Sequence, residues 1–140
     1  MFENIILFLH GWNVFLILAA GLITGVWGFI LFFRKAQTFP RSWRNALIVC
    51  AILALLQGVF GVILLLEGLK PEGGDSLYYL HFVYGAIVAL AIPVAVTYAT
   101  GGKNVRRDIL IFSIAAIILF LAGFRGWMTG PTAWPWIPPM

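Results

Sequence analysis

The stretch LHFVYG, residues 80–85, places a histidine inside an apolar run that extends over residues 77–99. About 20 consecutive apolar residues form a helix long enough to cross the roughly 30 Å hydrocarbon core of a bilayer. Three more runs of this kind occupy residues 5–33, 46–66 and 109–127. Strands are a poor alternative, because an open sheet in lipid leaves backbone groups unpaired. The sequence therefore predicts an all-α protein with four transmembrane helices.

The composition also indicates an integral membrane protein. Of 140 residues, 62% are hydrophobic and 10% are charged, and the mean hydropathy is +1.01. Soluble domains are nearer half apolar and a quarter charged. The net charge of +4 does not indicate nucleic-acid binding, because most basic residues lie in short loops between the apolar runs. The single cysteine, Cys50, excludes an intrachain disulfide, and we expect it to be a small buried hydrophobe.

The loop charges predict the orientation of the helices. Loops 34–45 and 100–108 carry seven of the nine Lys and Arg residues, whereas loop 67–76 carries three acidic residues and Lys70. Basic loops favour the cytoplasmic side, so both termini are expected on the outer side. Short loops favour an up-down four-helix bundle with antiparallel neighbours. We expect one domain over residues 1–130, followed by a Pro/Trp-rich tail at the outer membrane interface over residues 131–140.

The only two histidines, His10 and His81, are predicted to form a pair. Each lies four or five residues inside the outer end of its apolar run, roughly 6–8 Å below the membrane boundary. The first and third helices are diagonal partners in an up-down bundle, so the two imidazoles can face each other across the core. This arrangement is typical of axial ligation of a non-covalent haem b iron, although ligand type alone does not exclude a chlorin pigment. The alternative is two structural histidines, but ionisable residues inside membrane spans are functional by default.

Further residues are candidates for the same cofactor site. Gly85, one turn after His81, would leave room for a flat ring, and aromatic side chains would line the pocket: Trp12, Phe15, Phe82 and Tyr84. Arg125 and Lys70 lie near the outer boundary, where a propionate would need a cation. Asn13 and Gln57 could either hold a ligand or join helices by hydrogen bonds. The glycines of the first and second helices are expected chiefly at close helix contacts: Gly21, Gly25, Gly28, Gly58 and Gly61.

Several short motifs resemble the haem A synthase family. They are LQGVFG at residues 56–61, LHF at residues 80–82 and FRGWMTG at residues 124–130, with His10 opening the first helix. The last motif is similar to the Val-Arg-x-Thr-Gly stretch of that family, but it closes the chain here as if the unit were permuted. The family has two four-helix units, each with a histidine pair that ligates haem. The resemblance covers one such unit, and it implies His10 and His81 as haem ligands.

The departures from that family narrow the expected function. Leu7 stands where the catalytic unit of the family has a glutamate, and the cysteine pair of its outer loop is missing. We therefore expect a b-type haem protein that carries electrons or is an accessory subunit of a membrane redox complex. The alternatives are a minimal haem A synthase-like enzyme, which the missing glutamate disfavours, and a chlorin-binding or purely structural subunit. The expected surroundings are the lipid bilayer of a plasma or inner membrane, with a larger redox complex or a second copy as partner.

Overall fold

The protein consists of four long helices in the computed structural model, which describes residues 2–69, 71 and 78–129. They are α1 (Phe2–Phe33), α2 (Arg41–Leu66), α3 (Tyr78–Tyr98) and α4 (Val105–Met128), and the described part of the chain contains no strand. Each helix is long and apolar enough to cross a membrane. The predicted all-α class is therefore confirmed, and the described residues contain four helices that could each span a membrane, as predicted. The tail, Lys70 and most of the α2–α3 connection lie outside the described residues.

The helices form a bundle in which neighbours in sequence are neighbours in space. α1 packs against α2 and α4, and α3 packs against α2 and α4, whereas α1 and α3 make no direct backbone contact. α1 and α3 are thus diagonal partners. Both begin at the same end of the bundle, where α2 and α4 end, and we call this the terminal end. The opposite end, which carries the α1–α2 and α3–α4 connections, is called the basic end.

The contact between α1 and α4 depends on three glycines of α1. A Cβ at Gly21 would lie 3.0 Å from Leu119 Cδ2, and one at Gly25 would lie 2.6 Å from Ile117 Cδ1. At Gly28 an added Cβ would collide with the Ser113 hydroxyl of α4. Small residues let helix backbones approach closely in lipid, where hydrophobic exclusion from water does not hold helices together. The expectation that these glycines serve packing is confirmed.

Three of the helices begin earlier than the apolar runs. α1 begins at Phe2 rather than residue 5, α2 at Arg41 rather than 46, and α4 at Val105 rather than 109. At the basic end, the helical hydrogen bonds of α2 and α4 continue through the polar residues that precede each run, because a helix does not have to stop where its apolar stretch does. Asn104 caps α4 by accepting a hydrogen bond from the Arg107 amide at 3.0 Å.

The α3–α4 connection is held by Asp108, which is only 2% exposed. Its carboxylate accepts hydrogen bonds from the Thr100 amide (2.7 Å), the Thr100 hydroxyl (2.9 Å) and the Gly102 amide (2.9 Å). Its position before the fourth apolar run predicts a loop for Asp108, but Asp108 lies in the first turn of α4, where an acidic residue also complements the helix dipole. This carboxylate therefore ties the connection to the helix that follows it.

A second set of hydrogen-bonding groups is buried among α1, α2 and α4 nearer the basic end. The Trp43 indole N–H donates to the Thr24 carbonyl at 2.9 Å, and the Cys50 thiol lies 3.4 Å from the Thr24 hydroxyl. Trp43 and Cys50 are fully buried. Cys50 thus behaves as the predicted small buried residue.

The outward faces of all four helices are apolar. Large side chains such as Ile23 of α1, Val62 of α2, Val96 of α3 and Leu121 of α4 are more than half exposed. A soluble protein rarely exposes continuous apolar surface of this extent. The outward faces therefore suit lipid, in agreement with a multi-pass membrane protein.

Candidate functional site

The two histidines meet inside the bundle near its terminal end. His10 of α1 and His81 of α3 are half-buried, and their ring centroids are 6.0 Å apart with an angle of 55° between the ring planes. Their helices are diagonal, so the side chains alone bridge the space between them. The structure therefore brings together the two residues that the sequence singled out.

His81 is fixed by a backbone group of α4. Its Nδ1 lies 2.9 Å from the carbonyl oxygen of Gly126. A carbonyl can only accept, so Nδ1 carries the proton in the neutral ring and Nε2 carries the lone pair. Within the described residues, Nε2 of His81 has no hydrogen-bond partner. Histidines that ligate metals commonly donate their other N–H to a carbonyl in this way, which fixes both tautomer and ring orientation.

His10 is held less firmly, by Gln57 of α2. The Gln57 amide nitrogen donates to the His10 backbone carbonyl at 3.1 Å and lies 3.4 Å from the ring Nε2. The second distance is longer than a usual N–H···N hydrogen bond, so the ring contact is weak. The other ring nitrogen, Nδ1, is buried and has no partner in the part of the chain that the structure describes. Buried polar atoms without a partner are rare and call for an explanation.

Asn13 orients Gln57 from one turn further along α1. Its amide nitrogen donates to the Leu53 carbonyl at 2.9 Å and to the Gln57 side-chain oxygen at 2.8 Å. Asn13 is 7% exposed, so these bonds are shielded from solvent. With its oxygen occupied by Asn13, Gln57 presents its nitrogen to His10. Both residues thus join α1 to α2, the interhelical role considered for them from the sequence.

Two glycines lie beside the histidine pair. A Cβ at Gly61 of α2 would be 3.5 Å from His10 Cε1, an ordinary contact distance. A Cβ at Gly85 of α3 would have nothing within 4 Å. The space beside Gly85, one turn from His81, is therefore open, unlike the space at the α1 glycines that pack on α4.

Some of the predicted aromatic and basic residues lie at the histidine pair, and others lie at the terminal end of the bundle. Phe82 lies edge-on to the His81 ring, with centroids 6.2 Å apart. The Arg125 guanidinium is exposed and lies 5.8 Å from the Tyr84 ring centroid. Phe15 makes edge contacts with Trp12 at 6.0 Å and with Trp127 of α4 at 5.9 Å. Arg125 and Tyr84 thus lie together at the terminal end, where α4 finishes, whereas Lys70 lies outside the described residues.

The spacing of the two rings fits a single metal atom between them. An imidazole nitrogen lies about 1.1 Å from its ring centroid and bonds a first-row metal at about 2.0–2.1 Å, so two imidazoles on opposite sides of one metal have centroids about 6.3 Å apart. The observed value is 6.0 Å. No cluster of three or more His, Cys, Asp or Glu side chains in residues 2–69, 71 and 78–129 could hold a metal ion.

Centroid spacing of this size also occurs in ordinary contacts between aromatic rings. The hydrogen bonds supply the distinction, since two histidines that merely pack would be expected to satisfy their buried nitrogens with protein partners. Among the described residues, the buried Nδ1 of His10 has no partner. His81 Nε2 also has none there, but it is not a fully buried atom. The donor set and its spacing therefore allow a metal ion between the two imidazoles.

Sequence reasoning did not identify the Gly126 carbonyl as part of the site. A backbone acceptor has no residue type of its own, and the available signal was the position of Gly126 in the stretch FRGWMTG at the end of α4. Each of the four helices thus contributes one group to the site: His10, Gln57, His81 and the Gly126 carbonyl.

No family model matches the chain. No solved structure matches it either. The resemblance to the haem A synthase family, argued from short motifs, stays a prediction.

Proposed function

We propose that the protein binds one non-covalent haem b, with His10 and His81 as axial ligands. The observation that carries this proposal is the 6.0 Å spacing of two imidazoles that each retain a nitrogen without a hydrogen-bond partner among the described residues. Neutral imidazole is a good ligand for haem iron, and bundle cores are common cofactor sites. The protein groups then have distinct roles: the Gly126 carbonyl orients His81, and Gln57, held by Asn13, positions the backbone at His10.

The surroundings of the pair support a flat ligand of limited polarity. Gly85 borders open space one turn from His81, and Phe82 lies edge-on to the His81 ring. Arg125 is exposed at the terminal end and, among the described residues at that end, is the cation available to a propionate. These residues would hold a flat, largely apolar ring with an acidic substituent: Gly85 and Phe82 would border the ring, and Arg125 would pair with the acidic group.

Electron transfer is the proposed role, either as a carrier or as an accessory subunit of a redox complex in a plasma or inner membrane. Haem, when bound, supplies a one-electron couple at its iron. The enzyme alternative is disfavoured, because Leu7 occupies the position of the glutamate of the haem A synthase family and is 44% exposed on the outside of α1. The leucine side chain has no hydrogen-bonding group with which to move a proton.

The proposal is tested by the absorption spectrum and haem content of the full chain purified in detergent after expression with added haem precursor. The wild type should contain about one haem b per chain and show sharp reduced bands of a six-coordinate iron. His10→Ala and His81→Ala should each abolish the six-coordinate spectrum. Thr97→Ala, at an exposed site near the other end of α3, is the matched control and should leave the spectrum unchanged. Absence of haem bands from the wild type, or red-region bands of a chlorin, would overturn the proposal.

A further inference from the structure

The basic end of the bundle carries positive charge that the described part of the chain does not neutralise. Seven Lys and Arg side chains in residues 34–44 and 103–107 are exposed there. Asp108 is the acidic residue that the structure describes at this end, and its buried carboxylate already accepts from the Thr100 and Gly102 amides. Within the described residues, none of the seven cations forms an ion pair. Their charge is therefore available to an anion from outside the chain.

Aromatic contacts bring the two basic segments together. The Arg106 guanidinium of α4 lies 4.7 Å from the ring centroid of Phe32, near the end of α1. In the α1–α2 connection, the Phe39 ring contacts Phe112 of α4, with centroids 6.0 Å apart. The α1–α2 connection is thus held against the first turns of α4. The seven cations lie together at one end of the bundle, and we call them the basic surface.

Four of these cations lie where the helices disfavour positive charge. Arg41 and Arg44 lie in the first turn of α2, and Arg106 and Arg107 lie in the first turn of α4. The N-terminus of a helix carries a partial positive charge, so cations there are unfavourable. α2 has neither an acidic residue in its first turn nor a side-chain cap to offset this charge. A bound anion would supply the missing negative charge.

The chemistry of Arg106 suits a phosphate group. Its guanidinium contacts the Phe32 ring but makes no hydrogen bond to the described residues. A guanidinium presents its N–H donors in a planar fork that fits two oxygens of a phosphate. The aromatic contact therefore restricts the position of a cation whose donors remain available.

The apolar surface that continues from the cations matches a lipid better than a soluble anion. On α2, Arg44, Ile48 and Ile52 follow one another at four-residue intervals along one face, and the two isoleucines are half exposed. On α4, Arg107 is followed two turns later by the exposed Ile114. An anionic phospholipid has the same order of parts, a charged headgroup followed by apolar acyl chains. A soluble phosphate would use the cations and leave the apolar faces uncovered.

We propose that the basic surface binds the headgroup of an anionic phospholipid, whose acyl chains lie along the exposed face of α2 that begins at Arg44. Each Lys or Arg beside an anionic lipid contributes about a fivefold preference for it. Binding of this lipid depends neither on the proposed haem nor on which leaflet the basic end faces.

Native mass spectrometry of the full chain in detergent, titrated with phosphatidylglycerol or with phosphatidylcholine of the same acyl chains, tests the proposal. The first phosphatidylglycerol should bind more tightly than the first phosphatidylcholine. This preference should shrink between about 0.1 M and about 1 M ammonium acetate, because salt screens exposed charges. Arg41→Gln and Arg106→Gln, one from each basic segment, should each reduce the preference about fivefold. Arg106→Lys keeps the charge and should reduce it less, and Asn45→Ala, at an exposed uncharged site beside Arg44, should leave it unchanged.

Three results would overturn the proposal. Equal affinities of the wild type for the two lipids would leave the cations a role in membrane orientation alone. This comparison needs no variant, so it decides the matter even if an arginine variant does not fold. A preference that neither Arg41→Gln nor Arg106→Gln reduces would place the lipid elsewhere on the protein. Displacement of phosphatidylglycerol by glycerol 1-phosphate at the same concentration would assign the basic surface to a soluble phosphate.

Discussion

Adding one methyl group at Gly28 should weaken the bundle, and the same change at Gly85 should not. A Cβ at Gly28 would lie 2.6 Å from Trp43 Cζ2 and 3.1 Å from Ser113 Cβ, and it would collide with the Ser113 hydroxyl. Comfortable carbon–carbon contacts are about 3.5–4.0 Å, so these neighbours would have to move by up to about 1 Å.

The neighbours of Gly28 cannot move freely. Trp43 and Ser113 are both fully buried, the indole is bonded to the Thr24 carbonyl at 2.9 Å, and the hydroxyl is bonded to the Ile109 carbonyl at 2.6 Å. Overpacking of this kind costs about 1–3 kcal/mol. Replacing glycine by alanine inside a helix contributes about 0.8–1.0 kcal/mol in the opposite direction.

Gly85 is the matched control, because its added Cβ would have nothing within 4 Å. The gain in helix propensity is common to Gly28→Ala and Gly85→Ala, so it cancels in their difference. That difference is the overpacking term alone, and we expect Gly85→Ala to be more stable than Gly28→Ala by about 1–3 kcal/mol in the haem-free protein.

The assay is reversible unfolding of both variants in mixed micelles with increasing denaturing detergent, followed by far-UV circular dichroism. Equal unfolding free energies for the two variants, or a Gly28→Ala protein more stable than wild type, would refute the packing described for α1, α2 and α4. Haem content of the same preparations adds a second readout, because Gly85→Ala should lower it if the open space beside Gly85 accommodates a ring.

Three other perturbations give separate tests. Asp108→Ala removes the acceptor of three hydrogen bonds and should lower the free energy of unfolding by about 1–3 kcal/mol in the same assay. Asp108→Asn should lower it by less. An unchanged unfolding free energy in both variants would show that the carboxylate does not hold the α3–α4 connection. Gln57→Leu leaves the Asn13 amide with one hydrogen bond fewer and should lower the free energy of unfolding by about 1 kcal/mol. It should also broaden the His10 ring signals in NMR spectra. Unchanged signals would contradict the role of Gln57 in positioning His10. In a cysteine-free background, Thr38→Cys should react with a membrane-impermeant thiol reagent only from the cytoplasmic side and Glu67→Cys only from the outer side, and the reverse pattern would overturn the predicted orientation.

Much of the fold follows from the sequence, because the length and polarity of each run are dictated by the thickness of a bilayer. The diagonal relation of α1 and α3 follows in turn from four helices joined by short connections. The pairing of His10 and His81 could then be predicted, because the chain has no other histidines and these two lie at similar depth in their runs. Helix starts were less accurate, because hydrogen bonding continues into polar residues such as Arg41 and Arg44 that hydropathy excludes.

The finer chemistry of the site was not readable from residue types. The partner of His81 is a backbone carbonyl, which every residue possesses, and its selection depends on the rotation of α4 against α3. The unpartnered Nδ1 of His10 depends on which amide atom Gln57 presents, and that is set by Asn13. The glycines illustrate the same limit: identical residues at positions 28 and 85 border a filled space and an open one.

The most direct test of the central claim is low-temperature electron paramagnetic resonance of the oxidised, haem-loaded wild type, compared with His10→Ala. Two imidazoles on opposite sides of one iron predict a low-spin ferric signal in the wild type, because in the proposed site His10 and His81 would together fill both axial positions. Loss of His10 should convert that signal to a high-spin one. A wild-type signal that is already high-spin, or a low-spin signal that His10→Ala leaves unchanged, would contradict the assignment of His10 and His81 as the two ligands of one haem.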